Sequence, residues 1–65
     1  MPKFVLWSTW THDEHEKNIV CLEEDIPNLC IQGVIDTKIH KIVMVWYDKD
    51  LASAKETARS YGYSF

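Results

Sequence analysis

The apolar positions of this chain come in runs whose period changes from one run to the next. Lys3 to Trp10, "KFVLWSTW", is rich in strand formers and reads as a first strand. Thr11 with Glu14 three residues on is a capping-box pattern, which opens a helix from about His12 to Glu23. Ile19, Leu22 and Ile26 keep helical spacing, with Val20 beside them. Glu23, Glu24 and Asp25 are unfavourable at a helix C-terminus, so the helix is expected to stop near them, with Pro27-Asn28 as the turn. Leu29 to Asp36, "LCIQGVID", reads as a second strand, with Gly33 marking a bulge or a close backbone contact. "TKIH" makes a hairpin connection that exposes His40, and Lys41 to Tyr47, "KIVMVWY", is the clearest strand. Asp48 and Asp50 are candidate N-caps for a helix over about Leu51 to Tyr61, Gly62 suits the position after its end, and "YSF" offers a short last strand.

The resulting order is β-α-β-β-α with a possible final β. That is the ferredoxin-like α+β plan, two helices on one face of an antiparallel sheet. It occupies residues 1–65 as a single domain, with no repeat or linker.

A sheet covered on one side should alternate apolar and polar. The two strands expected at its centre do not. Phe4 and Leu6 point one way, Val5 and Trp7 the other. Ile42, Met44 and Trp46 point one way, Val43, Val45 and Tyr47 the other. Both faces are apolar, and this plan has helix for only one. Each large aliphatic or aromatic group is worth roughly 1.5–3 kcal/mol when buried, so an uncovered set marks an interface. The candidate interface residues are Val5, Trp7, Val43, Val45, Trp46 and Tyr47, or the alternate set Phe4, Leu6, Met44 and Trp46.

Composition sharpens this picture. A domain of 65 residues buries only about 60% of its unfolded surface, so a partner or a second copy would help it. The net charge of −3 opposes nonspecific binding to nucleic acid or anionic membranes. Trp7 and Trp46 are therefore read as packing or interface rings, not as a platform for RNA bases. No apolar run reaches the roughly 20 residues of a membrane span, and "MPKFVLWSTW" lacks a leader's cleavage site, so the expected compartment is the cytoplasm. Cys21 and Cys30 are too few for a disulfide framework and read as buried thiols.

The candidate chemistry lies in "THDEHE". His12 and His15 are three apart at a helix start, as are Asp13 and Glu16, so these side chains share a face. Imidazole with carboxylate suits Zn, Ni or Cu(II). The alternative is a solvated first turn whose acids complement the helix dipole. His15 between two glutamates has acid–base capacity near neutral pH, but no catalytic motif surrounds it.

With its order, its length, "IPNL" after the first helix and "YGY" near the end, the chain resembles the heavy-metal-associated domain. That resemblance implies soft-metal carriage through a Cys-x-x-Cys after the first strand. The two thiolate positions hold Asp13 and Glu16 here. The opening "MPKFVLW" also resembles small dimeric α/β-barrel proteins of the YciI and muconolactone isomerase type, which implies a homodimer that pairs its open sheet faces. The reading that combines these features is a small non-enzymatic regulator or inhibitor, a virally encoded one included. It would bind a larger protein or itself through an apolar sheet face. Transition-metal binding and a small homodimeric enzyme are the alternatives.

Overall fold

The computed structural model describes residues 1–10 and 18–64. The fold is α+β. Strands β1 (Lys3–Thr9), β2 (Ile19–Leu22) and β3 (His40–Tyr47) form one antiparallel sheet in the order β2-β1-β3. A 3-10 turn, Glu23–Asp25, leads into helix α1 (Ile26–Ile31), and helix α2 (Leu51–Ser60) follows β3.

Three elements match the sequence reading closely: β1, β3 and α2. The α2 start is capped as expected, with the Ser53 N–H donating to Asp50 Oδ1 at 2.8 Å. At its end Gly62 takes φ +97°, while its N–H donates to the Arg59 carbonyl at 2.9 Å and the Tyr63 N–H donates to Ala58 at 3.2 Å. This closure satisfies carbonyls that the helix leaves free, and it needs the left-handed backbone that glycine adopts without penalty.

The middle of the chain corrects the expected order. Ile19 to Leu22 pairs with β1 as a strand and does not end a helix. Helical spacing and a short buried strand are indistinguishable in so brief an apolar run. Pairing gives both of its faces a partner: Leu22 lies opposite Phe4, Cys21 opposite Val5, Val20 opposite Leu6 and Ile19 opposite Trp7. The part of the expected helix over residues 11–17 lies outside the described residues.

The expected second strand, Leu29 to Asp36, is instead the end of α1 and the turns after it. Pro27 sits in the first turn of α1, where a missing N–H costs nothing. Glu23, Glu24 and Asp25 precede that helix and so meet the positive end of a dipole. Gly33, at φ +78°, closes α1 as Gly62 closes α2: its N–H donates to Cys30 at 3.2 Å and the Val34 N–H to Leu29 at 3.0 Å. It is a helix terminator and not a strand bulge. Tyr63 and Ser64 form no strand, and Phe65 is outside the described residues.

The helices also do not share a face. Phe4, Leu6 and Val20 pack with Ala54 and Ala58 of α2, with Leu22, Met44, Trp46 and Tyr63 around them. Val5, Trp7 and Cys21 pack on the other side with Ile35, beside Ile26 and Leu29 of α1. The double-sided apolar character of β1 is thus explained by one helix on each face. β1 lies at the centre of the sheet, with Phe4, Val5 and Leu6 each at most 1% exposed. β3, expected at the centre, is an edge strand.

Candidate interaction surface

Whether a β3 side chain is covered depends on its face and on how far α1 reaches. Trp46 and Met44 lie opposite Phe4 and Leu6 on the α2 side and are half-buried. The Trp46 ring meets Phe4 at a centroid distance of 6.5 Å. Val45 lies opposite Val5, and Tyr47 opposite Lys3, on the α1 side. There α1 and Ile35 cover the β1 and β2 share of the face and leave the β3 share bare. Val45 is 44% exposed and Tyr47 62%.

A bulge extends the bare surface. Leu6 pairs with Met44 and Trp7 with Ile42, so Val43 is the extra residue. The bulge turns Ile42 to the α1 side, away from Met44 and Trp46. Ile42 and Val43 are exposed with Val45 and Tyr47, and no charged residue lies between Ile42 and Tyr47. Strict alternation had grouped Ile42 with Met44 and Trp46. No glycine marks this bulge, so the sequence carries no signal for it.

Of the residues expected at an interface, Val43, Val45 and Tyr47 are together on this bare row. Val5 and Trp7 belong to the core under α1, and Trp46 to the α2 side. Among the described residues the Trp7 indole N–H is buried without a hydrogen-bond partner. Burial pushes the Cys21 thiol up, so it is a poor nucleophile. Cys30, expected to be buried, is exposed on α1.

His40, expected to be exposed, is buried. Its Nδ1 accepts the Asp36 N–H at 3.1 Å, closing the turn that feeds β3. At the other end of β3, Asp48 ties the strand to α2. Its Oδ1 accepts the Lys49 N–H at 2.8 Å, and its Oδ2 accepts the Trp46 indole N–H at 3.2 Å and the Thr57 hydroxyl at 3.1 Å.

These donors, the Lys49 N–H first, hold the Asp48 carboxyl below its usual range. A depressed carboxylate contributes stability that is present above its unfolded pKa, about 3.9, and is lost as pH falls through the folded value. The expected result is that Asp48→Asn lowers the melting temperature at pH 7 and that the gap to wild type narrows below about pH 4. Thermal melts from pH 7 to 2 measure this, and a gap that stays constant down to pH 2 would contradict it.

The metal-site residues His12, Asp13, His15 and Glu16 lie outside the described residues. Among the described residues no group of three or more His, Cys, Asp or Glu is placed to hold a metal ion. One cleft of about 270 Å³ opens between β2, the 3-10 turn and the start of α2. Phe4, Val20 and Leu22 line it, with Glu24, Asp25 and Asp50 also on its wall. No described helix is long and apolar enough to cross a membrane. Comparison of the chain with protein-family models, curated proteins and solved structures finds no match.

Proposed function

We propose that this chain is a small non-enzymatic interaction protein that binds a protein partner, a second copy included, through the bare apolar row of β3. One observation carries the reading: Ile42, Val43, Val45 and Tyr47 are exposed side by side with no charge among them. Single exposed apolar residues are ordinary, but a contiguous row on a folded sheet is what interfaces use. A regulator or inhibitor acting by occupancy needs nothing more. A relation to the ferredoxin-like plan is part of this proposal only as far as an antiparallel sheet carrying two helices.

The test is affinity capture from the native host with wild type, a Val43→Lys/Tyr47→Lys double variant and an Ile31→Lys control. Ile31 is 84% exposed on α1, so that control places a lysine on the surface away from β3. The captured protein is identified, purified and titrated by calorimetry. Expected are binding by wild type and by Ile31→Lys, and a loss of at least tenfold in the double variant. Equal binding by all three would refute the assignment of this row as the interface.

A further inference from the structure

The reading of β3 as an interface leaves its occupant open. Resting on that reading, we infer that a second copy of this chain pairs with the outer edge of β3, antiparallel and centred on Val45. The first support is backbone parity. The Asp48 N–H donates to the Pro2 carbonyl at 3.1 Å, on the β1 side. In an antiparallel ladder every second residue turns both its N–H and its C=O to the same neighbour. Asp48, Trp46 and Met44 therefore serve β1, while Tyr47 and Val45 turn theirs outward; Val43, at the bulge, lies outside this regular alternation.

The second support is the shape of that edge. The exposed row between Lys41 and Asp48 on the α1 side holds Val43, at the bulge, then Val45 and Tyr47, so its central residue is Val45. A two-fold axis there sets Val45 opposite Val45 of the other copy and Val43 opposite Tyr47, all apolar and exposed. On the α2 side it sets Met44 opposite Trp46. The same residues supply both halves of every pair, as an isologous contact requires. Free edges are usually blunted by lysine, proline, inward-pointing charge or a bulge. Here Lys41 and the bulge at Val43 bound one end of the segment and Asp48 the other, and none of these devices lies between Met44 and Tyr47.

The extent of the contact sets its strength. A standard interface takes roughly 800 Å² from each partner, a large share of the 4529 Å² this chain exposes. A short paired segment buries less, so the dimer is weak and fills only at high concentration.

Sedimentation velocity from 10 µM to 1 mM tests this, on wild type, Val45→Pro and Val45→Lys, with circular dichroism to verify folding. Because the Val45 N–H faces outward, proline there removes no bond to β1. Expected is a concentration-dependent dimer in wild type and a dissociation constant at least tenfold weaker in either variant. A register test uses Cys30→Ser as background under mild oxidation. In a directly opposed pair Cα atoms are about 5.5 Å apart, within disulfide reach. Val45→Cys should therefore cross-link to itself. Val43→Cys alone should not, since its copies would lie about 14 Å apart at roughly 3.4 Å per residue.

A wild type that stays monomeric to 1 mM overturns self-pairing. So does a dimer that survives both Val45 variants, or self-cross-linking by Val43→Cys in place of Val45→Cys. The interface reading itself fails separately, through equal binding of the captured partner by the Lys variants.

Discussion

Phe4→Ala is expected to leave most of the chain unfolded at 25 °C. Phe4 is 1% exposed at the centre of the sheet, packed with Leu6, Val20, Ala54 and Ala58 and against the Trp46 ring. Truncating a buried Phe costs about 3–5 kcal/mol, the lost transfer energy plus the cavity left behind. A single core in a chain of 65 residues rarely supplies more than about 3–5 kcal/mol in total. The two figures are alike, so one substitution consumes the margin. The alanines of α2 make collapse around the gap difficult, because they are short and already in contact. Far-UV circular dichroism and urea titration check this. A cooperative transition with a midpoint close to wild type would show that the α2 layer is not what holds the sheet.

Ile35→Ala has the second large effect, and it tests the side of the fold that the sequence places wrongly. Ile35 is 2% exposed and packs with Val5, Trp7 and Cys21. It is the residue by which the turn after α1 seals that face of the sheet. The expected loss is about 2–5 kcal/mol. Ile31→Ala, on the exposed side of α1, should stay within about 0.5 kcal/mol of wild type. This contrast discriminates between the two readings of the segment. In a strand over Leu29 to Asp36, Ile31 and Ile35 would point to the same face and cost alike. In the observed structure a helix and a glycine-centred closure separate them. Similar losses for the two variants would restore the strand.

Both effects depend on how the sheet is layered, which decides which apolar side chains of the sheet are left bare. With two helices on one face, the whole opposite face would be open, with Val5 and Trp7 on it. With one helix on each face, the β1 centre is closed on both sides. Among the described strands, β3 is the one with bare apolar side chains, on the face where α1 ends short of it. The interface candidates thus contract to β3, and its edge becomes as important as its face. The pH response of Asp48 bears on the same strand, because the bonds it makes to Trp46 and Thr57 fix β3 against α2.

The sequence by itself determined the elements whose signals are local. β1 and β3 are dense in β-branched and aromatic residues, and α2 carries its own cap at Asp50 and its own stop at Gly62. It also determined that β1 is apolar on both sides, which is a property of alternation alone. Three matters were decided only by tertiary structure. Ile19 to Leu22 fits a helix or a strand equally by spacing, and pairing with β1 selects the strand because both of its faces then gain partners. Pro27 and Gly33 are compatible with a turn and a bulge, and the choice of a short helix between them follows from the face of the sheet it covers. The bulge at Val43 has no residue signature, and it moves Ile42 across the sheet. Local chemistry fixes what a segment can become. Which faces find partners fixes what it is, and among the described strands that leaves the apolar row of β3 uncovered.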